Sequence, residues 1–285
     1  VITEPAASVG HQPAANAGHQ SAANAGHQSA ANAEYVSVQR PEAGIAVLRF
    51  ARPPTNLIDA QLAFELAGAA RALGEDESIA AVVVYGDERV FSAGDDLAEA
   101  ARLTVEQARA MAGDVQSALG CLARLPQPTV AAISGYCLGA GLELALGADR
   151  RIIGDNVKLG LPQIRAGLLP PAGIRRLSLL IGPAAAKDLV YTGRFVGPDE
   201  AAALGLVDEV VAPDDVYLAA LRWARRFVGG PRLALAAAKR VFEAGPHGAE
   251  RARVEWAELF ATADRSIGTR SYLADGPGSA DFSGR

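Results

Sequence analysis

Residues 129–149 read TVAAISGYCLGAGLELALGAD. The run 129–134 is uncharged, has the length of a strand and stops at Gly135, which predicts a strand buried on both faces. The run 138–148 is equally apolar but opens on Gly139-Ala140-Gly141, and predicts a short buried helix. A buried strand crossing through glycines into a helix is the repeating unit of an α/β fold. One carboxylate, Glu143, sits inside this apolar text. A buried ionised carboxylate without a partner is costly, so Glu143 is either paired with Arg150 or Arg151, or kept for acid/base work.

The same grammar extends outward. Val- and Ile-rich runs at 35–39 and 44–50 predict a hairpin, followed by RPPTN (52–56) and a helix over 60–73. Further strands are expected at 80–86, 151–154 and 157–159, and a long helix at 105–125. After Pro183 the pattern reads as helices alone, at 183–191, 198–204, 214–228, 231–243 and 247–263. The expected organisation is an α/β core over 34–195 and a helical C-terminal region over 196–285. Residues 1–33 differ in kind: PAASVGHQ, PAANAGHQ and SAANAGHQ repeat every eight residues without aromatic or large aliphatic anchors. Such text cannot offset the entropy of ordering and is expected to be a flexible tail. Its His11, His19 and His27 lack carboxylate or cysteine partners, so no metal site is expected.

Half of the 285 residues are hydrophobic, enough for a substantial core, and the formal net charge is −5 with lysine and arginine dispersed. That balance argues against nucleic acid or an anionic membrane as the main partner and favours a small soluble ligand. The two cysteines, Cys121 and Cys137, lack metal-ligand spacing. With no signal-like start and no apolar run of transmembrane length, a cytoplasmic setting is expected.

Two crossings carry the chemistry. The strand at 80–86 leads into FSAGDD (91–96), and the strand at 129–134 leads into GYCLGAGLE (135–143). Small residues at Ala93-Gly94 and Gly139-Ala140-Gly141 let backbone N–H groups approach a ligand, and the second set heads a helix whose dipole favours negative charge. A dinucleotide site fails because position 144, where a third glycine belongs, is Leu144. Glu143 lies three residues beyond Ala140, on the same helix face.

Phe91–Leu97, Gly135–Ala145 with Asp149, GLPQ (160–163), the segment 167–177 and LGLVD (204–208) together resemble the crotonase (enoyl-CoA hydratase/isomerase) family, in order and spacing. The resemblance runs from about Tyr35 to Phe282. It implies a spiral of β-β-α turns with a helical C-terminal region, assembled as homotrimers or hexamers, acting on an acyl-CoA thioester. No cofactor is implied beyond the coenzyme A carried by the substrate. It also implies that the backbone N–H groups of Asp95 and Ala140 grip the thioester oxygen as an oxyanion hole, each contributing about 3–4 kcal/mol. The pantetheine arm would run beside Ala93, Asp96, Leu97 and Gly139, and Gly94, Tyr136, Leu138 and Pro162 would also contact the CoA thioester. Pro53–Asn56, with Pro54 as a CoA-binding residue, would lie near the nucleotide end, and Lys239 either reaches a CoA phosphate or is a solvated helix lysine.

Hydratases of this family flank a water with two glutamates. Glu143 occupies the first position, but Gln163 stands at the second, and an amide holds water without carrying a proton. The one-carboxylate isomerases keep the other acid, so the pattern here is reversed. Asp95 replaces the usual alanine, RPPTN is one residue short, and AGIRR (172–176) replaces a glycine-rich segment. The leading expectation is hydration of a 2-enoyl-CoA with Glu143 as base and Gln163 positioning water or substrate. Isomerisation or thioester hydrolysis by Glu143 alone is the second, and non-catalytic acyl-CoA binding the third. If Gln163 faces the reacting carbons, Gln163→Glu is expected to raise hydration.

Overall fold

The computed structural model describes residues 34–285, so the repeats lie outside the described residues. A hairpin of β1 (Val36–Glu42) and β2 (Ile45–Phe50) opens the fold, followed by β3 (Leu57–Ile58) and helix α1 (Ala60–Glu75). The second turn comprises β4 (Ala81–Tyr85), β5 (Gly94–Asp95), α2 (Leu97–Ala100) and α3 (Val105–Leu119). The third is β6 (Thr129–Ile133), β7 (Tyr136–Leu138) and α4 (Ala140–Ala145). The fourth is β8 (Arg150–Gly154), β9 (Lys158–Gly160) and, after a 3₁₀ turn at Pro162–Ala166, α5 (Gly173–Ile181). Each turn thus runs strand, strand, helix.

The first strands of the turns build one six-stranded sheet in the order β1-β2-β4-β6-β8-β10, parallel except for the opening hairpin. The short second strands pair among themselves, β3 with β5 and β7 with β9. Every residue of β4 and β6 is buried, as expected of a parallel sheet covered on both faces. Alternation splits them cleanly. Leu48, Val82, Val84, Ala131 and Ile133 face the larger core with Phe50, Leu62 and Phe91. Val47, Val83, Val130 and Ile152 face a smaller one. Ala219, Ala220 and Ala224 of α8 (Val216–Ala224) bring that helix onto the second face, their small side chains permitting close approach.

The remaining elements are α6 (Pro183–Thr192), α7 (Pro198–Leu204), β10 (Glu209–Val211), α9 (Arg232–Glu243), α10 (Gly248–Leu259) and α11 (Ala263–Asp275). Several boundaries differ from expectation. The helix expected to 125 stops at Leu119, because the chain tightens at Gly120 into a 3₁₀ turn. Leu138 ends a strand instead of opening a helix, since Gly139 at φ 49°, ψ −127° admits only a glycine and delays the helix to Ala140. The helix expected over 247–263 ends at Leu259, and Thr262 caps a further helix, α11, that was not expected, its hydroxyl accepting from the Arg265 N–H. Helix α5 was hidden behind Pro170-Pro171. Strand β10 was too short for its periodicity to show, yet it completes the sheet within a region read as helical throughout.

Lys239 neither reaches outward nor is solvated. It is buried, pairs with Asp149 at 2.7 Å and donates to the carbonyls of Leu122 and Gln127 and to the Thr129 hydroxyl. Asp149 also accepts from the Thr129 N–H, so this knot ties α9 to the start of β6.

Candidate active site

The site is assembled where the second strands give way to helices. Ser92 bridges to Cys137, its hydroxyl donates to the Asn56 carbonyl at 2.7 Å, and it accepts from the Gly94 N–H at 3.1 Å. Backbone bonds extend the seam: Ala93 N–H to the Thr55 carbonyl, Asp96 N–H to Ile58, Ser92 N–H to Tyr136, and Gly139 N–H to Gly160. The segments 54–58, 92–97, 136–141 and 160–163 are therefore neighbours, as the motifs required. A Cβ on Gly141 would lie 2.5 Å from Ser92 Cβ, so this glycine is needed for close approach.

Within the cluster the expected residues divide. Gly94, Leu138, Gly139, Ala140, Glu143 and Gln163 are buried, whereas Ala93, Asp95, Asp96 and Pro162 are partly exposed. Pro54, Leu97 and Tyr136 lie at the surface, Tyr136 joining the seam through its carbonyl. The Asp96 side chain caps α2, accepting from Ala98 and Glu99, and pairs with Arg52 at 2.8 Å.

Glu143 is fully buried, and neither arginine neighbour holds it. Arg150 pairs with Glu209, and Arg151 pairs with Asp208 while donating to the carbonyls of Leu206 and Ala148. Instead, Glu143 Oε2 accepts from the N–H groups of Ala172 and Gly173 at 2.5 and 2.6 Å, and Oε1 accepts from Gln163 Nε2 at 3.0 Å. Helix α5 has no side-chain cap of its own; Glu143 satisfies its first N–H groups from another element. Burial pushes the Glu143 carboxyl up to about 8, opposed by the Ala172 and Gly173 N–H groups and reinforced by the nearby Asp95 carboxyl. A Cβ on Gly173 would lie 2.8 Å from Glu143 Cγ, so this glycine makes room for the acid.

The two N–H groups of the expected anion pocket are already engaged. Ala140 N–H donates to Asp95 Oδ2 at 3.1 Å, and the Asp95 N–H and the Gln163 side chain also bond to that carboxyl. Gln163 thus stands between two carboxyls, while its own Oε1 is buried with no partner among the described residues. Sequence reasoning missed both the α5 anchor and the position of the Asp95 side chain. The only signal for the anchor was Ala172-Gly173 after two prolines, a helix start without a capping side chain.

The enoyl-CoA hydratase/isomerase family model matches residues 40–272. The chain belongs to the enoyl-CoA hydratase/isomerase family. It is 50% identical over 234 residues to a probable enoyl-CoA hydratase, EchA17, of Mycobacterium tuberculosis, spanning 79% of this chain and 89% of the relative. A second relative, the probable enoyl-CoA hydratase echA8 of Mycobacterium bovis, is 36% identical over 236 residues, 80% of this chain and 91% of that one. Among solved structures, an enoyl-CoA hydratase from Bacillus anthracis superposes with a TM-score of 0.81 at 28% identity, covering 88% of this chain and 100% of that one. Pseudomonas aeruginosa DspI superposes with a TM-score of 0.79 at 30% identity, covering 89% and 97%. The family supports a spiral α/β fold and an enoyl-CoA hydratase-like function on an acyl-CoA thioester.

Proposed function

We propose that this enzyme adds water across the double bond of a 2-enoyl-CoA. The observation that carries the reading is Glu143, a fully buried carboxylate pinned by three donors one helical turn behind the Ala140 N–H. The thioester oxygen takes the Asp95 and Ala140 N–H groups in place of the Asp95 carboxyl, and negative charge developing on that oxygen is met by fixed dipoles. Glu143, ionised as pH rises through about 8, removes one proton from water as the oxygen bonds to the β-carbon, and the unpartnered Gln163 Oε1 accepts the other water hydrogen. The α-carbon then needs a proton, which the residues seen from sequence leave to Glu143 itself or to solvent.

The pantetheine arm runs past Ala93, Asp96 and Leu97, and its nucleotide end lies towards Pro54. Association into trimers or pairs of trimers in the cytoplasm belongs to the same proposal. Trp256 of α10, Phe260 just after it, and Tyr272 and Leu273 of α11 expose large apolar surfaces, which supports a partner-facing role. Light scattering of the purified protein tests the assembly. Loss of the enone absorbance of short-, medium- and long-chain 2-enoyl-CoAs tests the reaction; unchanged absorbance across the panel refutes it. Conversion of 3-enoyl-CoA or release of free thiol would mark the isomerase or hydrolase alternatives.

A further inference from the structure

Hydration needs a base for water and an acid for the α-carbon, and at position 163 this chain offers only an amide. The missing carboxyl has not left the site. Asp95 places its side chain on the Ala140 N–H at 3.1 Å, in the seat that a thioester oxygen must occupy. Gln163 donates to Glu143 at 3.0 Å and bonds to Asp95, so one amide separates two carboxyls and its free Oε1 faces no protein donor among the described residues. A third carboxyl at 163 would crowd three negative groups into one buried site; the amide is what two carboxyls require. Gly139 belongs to the same arrangement, since a Cβ there would collide with Asp95 Oδ2.

We propose that the Asp95 carboxyl is the second acid of this site: it yields the Ala140 N–H to the thioester oxygen and delivers its own proton to the α-carbon. The inference rests on the hydration reading above. The Asp95 side chain is two bonds long and hangs from the residue whose N–H holds the thioester oxygen. It therefore stays beside the carbonyl carbon and its α neighbour after displacement. A carboxylate stripped of its donors next to an acyl group is strongly disfavoured, so it takes up a proton from solvent as the thioester binds. The charged group facing it reinforces this: Glu143 of α4 is negative when ionised, and Arg52 is paired with Asp96 and Asp59 and not with Asp95. In the reaction, Glu143 takes a proton from water and the water oxygen bonds to the β-carbon. The π electrons move towards the thioester, and the Asp95 O–H bond breaks as the α C–H bond forms. Product release returns Asp95 to the Ala140 N–H, and Glu143 gives its proton to solvent, so the cycle adds one water and no net charge.

Two measurements decide it. Titration of the protein with butyryl-CoA, in buffers of different ionisation enthalpy near neutral pH, should show proton uptake on binding that Asp95→Asn abolishes; this isosteric variant keeps an acceptor for Ala140 N–H and guards against misfolding. Binding without proton uptake by the wild type overturns the proposal. In hydration of crotonyl-CoA, Asp95→Ala should lose about a hundred- to ten-thousandfold in kcat, and the double variant Asp95→Ala/Gln163→Glu should recover much of it, whereas Gln163→Glu alone should fall, reversing the expectation from sequence. Asp95→Ala at or above the wild-type rate shows that the side chain only blocks the pocket and overturns the proposal while leaving the hydration reading intact. Exchange of the butyryl-CoA α-proton in D2O separates the two failures: exchange that needs Asp95, with no hydration of any 2-enoyl-CoA, supports Asp95 and refutes hydration.

Discussion

Replacing Glu143 with glutamine should separate activity from stability. In the native protein the carboxyl is raised from 4.5 to about 8, so between these values the folded state binds more protons than the unfolded one. Stability contributed at this site therefore falls as pH rises through that window and levels off above it. At about 1.4 kcal/mol per pH unit, the fall amounts to a few kcal/mol. The glutamine fits without a charge: its carbonyl accepts from Ala172 and Gly173, and its amide donates to Gln163 once that side chain turns its unpartnered Oε1 inward. Hydration of crotonyl-CoA by Glu143→Gln should drop about a hundred- to ten-thousandfold. Thermal unfolding at pH 5 and pH 9 should show the wild type losing several degrees more than the variant, at about 2–4 °C per kcal/mol for a chain of this size. Parallel pH slopes would refute the buried-charge account, and an unimpaired rate would refute the role of Glu143 as base.

Gly173→Ala pushes a methyl to 2.8 Å from Glu143 Cγ, and should lower kcat while leaving acyl-CoA affinity near wild type, read by steady-state kinetics beside direct binding. Gly139→Ala combines φ 49° with a collision on Asp95, and should cost about 1–3 kcal/mol in denaturant unfolding besides impairing turnover. Lys239→Ala removes a buried cation that Asp149, Thr129 and two carbonyls share, and should destabilise by about 3–5 kcal/mol. It should not change the affinity for coenzyme A; a large loss of that affinity would restore the phosphate-contact reading. Phe91→Ala deletes a fully buried ring packed edge-on against Phe50 at 5.1 Å, and should cost about 3–5 kcal/mol by denaturant titration.

Much of this protein is legible along the chain because its central strands are buried on both faces. Runs such as AVVVY and TVAAI can be little else, and the glycines that follow them mark the crossings where backbone must approach backbone. The motifs at 91–97, 135–145 and 160–163 carry the family in the same local way, with Asp95 and Gln163 as departures within them. Short elements escaped: β10 has three residues, and α5 begins without a capping side chain, so neither announces itself through periodicity or a cap.

The sequence by itself determined that a lone glutamate stands one helical turn behind an anion-seeking helix start, and that its usual partner is an amide. Only the tertiary structure decided what those groups touch. Glu143 is held by the N-terminus of a helix thirty residues downstream, Lys239 is folded inward on Asp149, and the Asp95 carboxyl sits on the Ala140 N–H. Hydrogen bonds across such separations depend on which crossings the sheet brings side by side, and no local pattern records that.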